Sequence, residues 1–212
     1  MPGNPLPDPW SDAETQAVLP WRGRITTSKA PGQPASPDGT ATAENEVAAF
    51  FGTASAADFT VTPIEVVPVE APGTGALDLL SFGGEVKASP VAYHGPDEWS
   101  FRRFILHQAA LCAAAGGVES FCIGSEMRGL TQIRGAGNSF PAVTQLVDLA
   151  AEVRALLGPE VKISYAGDWS EYFGYQPGNG DRFFHLDPLW ADDNIDFIGI
   201  DNYMPLSDWR EG

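Results

Sequence analysis

A chain of 212 residues that is 43% hydrophobic can bury a sizeable core, enough for one large domain or two small ones, so wholesale disorder is excluded. Its net charge of −16 comes from 28 acidic against 12 basic residues with no run of Lys or Arg. That balance argues against nucleic acid or an acidic membrane face as a partner and leaves room for a neutral or cationic ligand. No apolar stretch reaches the roughly 18 residues that span a bilayer, and the first residues lack the basic and apolar parts of a secretion signal. Cys112 and Cys122 make no disulfide framework and read as small core residues. His94, His107 and His185 are scattered, nothing has metal-ligand spacing, and a lone His beside an apolar segment reads as a satisfied structural group; no metal or other cofactor is expected.

Residues 1 to about 40 are dense in Pro, Gly, Ser and Asp and read as a long irregular segment with an island of order at Leu19 to Thr26. Glu44 to Phe51 predicts a short helix stopped by Gly52. Thr60 to Val69 alternates and is rich in Val, Thr and Ile, which predicts a strand or hairpin followed by a turn at Ala71 to Gly75, so that 58–95 reads as an inserted excursion. From Pro96 the pattern becomes regular. Asp97 can cap a helix with Phe101, Phe104, Ile105, Leu111, Cys112 and Ala115 on its apolar positions, ended by Gly116-Gly117. Apolar runs at 118–123, 161–166 and 195–200 predict buried strands. Between them lie a helix capped at Ser139, with Pro141 in its first turn, and a short helix near Arg182 to Trp190. Strand and helix in alternation imply parallel pairing through right-handed crossovers. The proline-rich start, and an end at Gly212 a few residues after a strand, predict truncation at both ends.

Each of the three strands runs into polar and aromatic residues, and α/β sheets of this kind carry their chemistry at the carboxyl ends of the strands. Glu126 follows Gly124-Ser125. A carboxyl there, shielded from water by rings, is disposed to donate a proton to a leaving-group oxygen, the general-acid role in glycoside hydrolysis. The alternative is an ion pair with Arg128 or another base at the loop edge, and spacing does not decide between them. Asp168, Trp169 and Glu171, beside Tyr172 and Phe173, mix carboxylates with rings, as a sugar subsite requires: the rings stack on C–H faces and the carboxylates accept from hydroxyls. Trp169 is the stacking platform, or else a plug for the sheet end. Asp201, Asn202 and Tyr203 form an analogous cluster, with Tyr203 placed to bond a carboxylate, although Asp201 could equally cap the turn before Pro205. Trp10, Trp21, Trp99, Trp190 and Trp209 read as packing residues or loop anchors. The chain has no Gly-x-Ser-x-Gly elbow, phosphate-cradling loop with Lys, or His-Glu-x-x-His, which sets aside acyl transfer, nucleotide use and zinc hydrolysis.

With those residues in view, Phe121 to Thr131, Lys162 to Tyr172 and Asp196 to Leu206 resemble the glycoside hydrolase TIM-barrel-like domain of gene transfer agent and phage tail host-specificity proteins, also called baseplate hub or megatron proteins. Pro20 to Thr26 is similar to that family's long loop after the second strand, and the resemblance covers nearly the whole chain apart from about 60–90. It implies an α/β fold, a partial TIM barrel of roughly strands 3 to 6 that is not closed within this chain. The whole of 1–212 would be one fragmentary domain: a long loop and short helix over 1–57, the excursion at 58–95, and regular βα repeats over 96–212.

The family in turn resembles the clan of retaining glycosidases that includes β-mannanases. There the acid/base glutamate ends the fourth strand and maps onto Glu126, while the fifth and sixth strands map onto 161–166 and 195–200. The nucleophile glutamate ends the seventh strand, expected beyond residue 212, so the isolated chain is expected to be inactive. Ser125 stands where many members have an Asn that holds the sugar 2-hydroxyl. The implied partners are a polysaccharide or peptidoglycan glycan and other tail or baseplate proteins. The implied location is the tail of a phage-like particle made in a bacterial cytoplasm and acting at the cell envelope. The resemblance leaves two functions open, a glycosidase or a non-catalytic structural and carbohydrate-binding module of the baseplate. An unclosed barrel would expose strand edges and make the isolated piece aggregation-prone or partly molten.

Overall fold

The structure is a computed structural model and describes residues 6–17, 21–64 and 89–203. The first helix, α1 (Ala41–Phe51), starts where the Thr40 hydroxyl accepts the Thr42 N–H and stops at Gly52, whose φ of 74° is the left-handed turn that glycine makes without strain. Two short antiparallel strands follow, β1 (Phe59–Val61) and β2 (Val91–Tyr93), pairing Phe59 with Tyr93 and Val61 with Val91. The excursion is therefore rooted in a two-stranded ribbon. Residues 65–69 of the expected strand, and the turn at 71–75, lie outside the described residues.

Helix α2 (Phe101–Ala114) is capped by Ser100, whose Oγ accepts from the Arg103 N–H at 3.2 Å, and not by Asp97 as expected. The neighbouring Glu98 explains the shift, because its carboxylate accepts from Ser100 Oγ and from the Thr53 and Ala54 amides and locks Ser100 at the helix start. Gly116 and Gly117 then turn the chain into β3 (Ser120–Ser125). A single turn, α3 (Arg128–Thr131), precedes α4 (Pro141–Leu157). Ser139 does not cap α4; its Oγ donates to Glu44 of α1, and the helix begins on the proline alone.

Strand β4 (Lys162–Asp168) lies between β3 and β5 (Gly199–Asp201), all three parallel, in the sequential order β3-β4-β5. The fold is thus α/β with an unclosed parallel sheet among the described residues. Strand β5 is shorter than the expected 195–200. The Asp196 carboxylate accepts the Ile163 N–H and the Arg154 guanidinium, so a side chain occupies the ladder position a strand would use. In place of a helix over 182–190, Phe183 bridges Tyr175 and only α5 (Asp187–Trp190) is helical. Among the described residues no helix is long and apolar enough to cross a membrane.

The core lies between the sheet and α2 and α4, where Leu106, Ala109, Leu146, Leu149 and Val153 meet Ile123 and Ile163 at zero exposure, with Val47 and Phe51 of α1 closing one side. Cys122 is not a core residue as expected: it sits exposed on the opposite face of β3, because side chains alternate along a strand and Ile123 takes the inward place. His185 is buried between the rings of Phe140 and Tyr175, which pushes its pKa down to about 4 and holds it neutral. It is not the satisfied group expected, since its Nε2 has no hydrogen-bond partner among the described residues. Truncating the central core side chain, Leu146→Ala, is expected to cost about 2–5 kcal/mol, read from the midpoint of urea unfolding.

Candidate functional site

The ladder between β3 and β4 slips between Cys122 and Ser125, a bulge-like irregularity of the kind that re-aims side chains at strand ends. Glu126 follows directly, with a φ of 52° that non-glycine residues seldom adopt, and its N–H donates to Ala166 O of β4 at 2.8 Å. Its side chain turns over the end of the sheet and is 5% exposed. Trp21 Nε1 donates to Glu126 Oε2 at 2.9 Å, and the Arg22 guanidinium reaches the same oxygen at 3.4 Å. Tyr203 completes the surroundings: hydrogen bonding to Glu126, then that carboxylate's charge, push the tyrosine pKa above its ordinary value.

Trp21 comes from more than a hundred residues away because the 21–25 segment is fitted against α3. A Cβ at Gly129 would lie 2.6 Å from Gly23 O and 2.7 Å from Ile25 O, so only glycine lets the two backbones meet. A Cβ at Gly23 would fall 2.3 Å from the Trp21 ring, which folds back over that position. The segment is held from behind, where Trp10 Nε1 donates to Arg24 O at 2.8 Å and the Arg24 guanidinium pairs with Asp8 at 2.8 Å.

A cavity of about 370 Å³ opens on Glu126, walled by the Trp21 and Trp169 rings and edged by Arg128, Asp168, Ser170 and Tyr203. Of the expected site residues, the structure brings Glu126, Asp168, Trp169 and Tyr203 to this one cavity. Asp168 is held by Ser170, which donates to it through both its N–H and its hydroxyl, and Trp169 N–H donates to Asp201 O at 3.1 Å. Three expected residues do not line it. Asp201 is turned to β3, where its Oδ2 accepts from Ser125 Oγ at 2.6 Å, and Asn202 is exposed outside the lining.

Glu171, at 1% exposure, lies under the site. It accepts from Thr131 Oγ1 at 2.5 Å, from the Asp168 N–H at 2.8 Å and from the Tyr165 hydroxyl at 3.2 Å. Burial pushes its pKa up to about 7, against the lowering effect of those donors.

Sequence reasoning missed four contributors to the site, three of them in the cavity lining. Trp21, read as packing or an anchor, is a wall of the cavity and a donor to Glu126, and Arg22 supplies the ion pair that Arg128 was the named candidate for. Arg128 and Ser170 line the rim. The available signal for the first two was the Pro20 to Thr26 motif. Among the described residues no cluster of three or more His, Cys, Asp or Glu could hold a metal ion.

Parallel βαβ units with their polar and aromatic residues gathered at the carboxyl ends of the strands define a TIM-barrel-type α/β domain. The model of the GTA TIM-barrel-like domain, the gene transfer agent domain, matches residues 99–212, and the chain belongs to that family. The match takes in β3 to β5 and leaves the 21–25 segment outside it. No curated protein matches the chain.

Two outcomes follow. Gly129→Ala forces the two backbones apart and is expected to destabilise the protein by about 1–3 kcal/mol and to weaken the Trp21 contact, visible as altered Trp fluorescence and a lower urea midpoint. Glu171 is raised from 4.5 to about 7 in the folded state, so its stabilisation is fully present below about pH 4.5 and lost as pH rises through about 7. Wild type is accordingly expected to lose roughly 3 kcal/mol relative to Glu171→Gln across that window. The difference between the two proteins is the quantity to measure, because His185, lowered to about 4, contributes the opposite slope in both.

Proposed function

We propose that the cavity takes a glycan of the bacterial cell envelope, with Glu126 facing the glycosidic oxygen as proton donor. The observation that carries this reading is the setting of Glu126 just past the end of β3: a buried carboxyl opening on a cavity of about 370 Å³ that is also lined by two indole rings. Flat rings match the C–H faces of sugars, and Asp168, Ser170 and Arg128 at the rim match their hydroxyls. Of the described carboxylates, Asp168 alone lines the cavity with Glu126. Turnover needs such a second group, about 5–5.5 Å away for retention or about 6.5–9.5 Å for inversion.

One observation favours a second reading, a non-catalytic carbohydrate-binding and structural module of a tail baseplate. The Trp21, Arg22 and Tyr203 donors all use Glu126 as an acceptor, an arrangement suited to accepting from a ligand hydroxyl. Fold alone does not choose between them.

Purified peptidoglycan and a panel of β-linked glycans, offered to the intact parent protein with the completed barrel, as wild type and as Glu126→Gln, separate the readings. Binding by both proteins is expected, with release of reducing ends by wild type and a loss of at least about 10²-fold in the variant. Binding without release in either protein selects the baseplate module, and absence of binding in both removes the glycan from either reading.

A further inference from the structure

We propose that Glu171 is a positioning residue of this cavity: its buried carboxylate, acting through the Tyr165 hydroxyl and directly on the Asp168 amide, sets the two strand ends that present Glu126 and Asp168. The proposal rests on the reading of the cavity as a glycan site and names what aligns it.

The connections form one continuous path. Met127 N–H donates to the Tyr165 hydroxyl at 2.7 Å, that hydroxyl donates to Glu171 at 3.2 Å, and Glu171 Oε2 accepts the Asp168 N–H at 2.8 Å. The Glu171 N–H returns to Asp168 O at 2.7 Å. Glu126 thus has both flanking amides pinned by β4, its own by Ala166 O and the next one by Tyr165. A residue with φ of 52° keeps that conformation only where its surroundings over-determine it, and these two bonds do so. A carboxylate at 1% exposure is an expensive way to fill space, since an apolar side chain would pack there without desolvation cost. What the carboxylate supplies that an apolar group cannot is simultaneous acceptance from Thr131, Tyr165 and the Asp168 amide.

The alignment depends on charge. Ionised Glu171 meets all three donors. Once it is protonated, one of its oxygens becomes a donor, Thr131 and Tyr165 compete for what is left, and the Tyr165 hydroxyl has to turn, loosening its hold on Met127. The titratable groups that act on Glu171 are Tyr165 and Asp168, both on β4, and from α3 the Thr131 hydroxyl donates to it. With burial lifting Glu171 to about 7, the site tightens as pH rises through neutrality.

The Trp21 indole N–H, bonded to Glu126, reports this alignment without any activity, and the Trp10 indole, bonded to Arg24 O, serves as an internal control. In ¹H–¹⁵N spectra of the 212-residue chain, the wild-type Trp21 signal is expected to step with a midpoint near pH 7 while that of Trp10 stays put. Glu171→Gln and Tyr165→Phe are each expected to abolish the step; Tyr165→Phe keeps the ring in the core and decides the matter if Glu171→Gln does not fold. A Trp21 signal that overlays wild type at every pH in Tyr165→Phe overturns the proposal.

Titration with a β-1,4-linked N-acetylhexosamine oligosaccharide separates it from the glycan reading. A fall in affinity of about tenfold or more in the variants, together with loss of the step, upholds both. Loss of the step with no binding by any protein keeps the positioning role and removes the glycan. Unchanged step and unchanged affinity keep the glycan and remove the positioning role.

Discussion

Glu126 sits in a backbone conformation that a residue with a Cβ takes only when its neighbours impose it, and the rest of the site depends on that imposition. The slip in the β3–β4 ladder brings it about, and β4 maintains it by holding the amides on either side of the Glu126 Cα. Beneath them a single buried carboxylate gathers donors from α3 and β4. The precision of the cavity is therefore a property of neighbouring strand ends, and the loops above it inherit that precision.

Above the sheet, the chain before α1 contains little regular structure among its described residues, yet it is closely tied down. The Asp8–Arg24 pair, the Trp10 indole on Arg24 O and the backbone fit at Gly129 turn an irregular segment into the second wall of the cavity. Arg134 plays a comparable part further along, its guanidinium and amide both on Asp38. The Asp8–Arg24 and Asp38–Arg134 contacts are charge-assisted hydrogen bonds at partly buried positions, where such bonds contribute more than exposed ion pairs do.

The burial of Glu171 sets stability against order. Its ionisation is opposed by desolvation and rewarded by three donors, so the form that best aligns the strand ends is also the form that folding tolerates least at neutral pH. Strain and polar burial of this kind concentrate at functional sites. Their presence under the cavity of a GTA TIM-barrel-like domain supports a pocket that holds a ligand, whichever of the two proposed functions it serves.

Short-range physics made much of the fold legible in the sequence. Gly52 and Gly116-Gly117 end helices where a left-handed residue is needed, Pro141 opens α4, and the apolar runs at 118–123 and 161–166 became β3 and β4 with boundaries moved by one or two residues. The strand-end rule placed Glu126, Asp168, Trp169 and Tyr203, because a residue's position along a parallel strand follows from local pattern alone. Glu171, Asp201 and Asn202 fall outside the lining: Glu171 shares its loop with Asp168 and only packing decides which of the two carboxylates faces the cavity, while Asp201 is drawn to Ser125 Oγ on β3. Asp196 shortened β5 in a similar way, by spending a side chain where a backbone bond was expected. Trp21 lay furthest beyond sequence reading. Its bond to Glu126 joins residues 105 positions apart and depends on two missing Cβ atoms, and no periodicity records a contact that exists only once two separately folded segments touch.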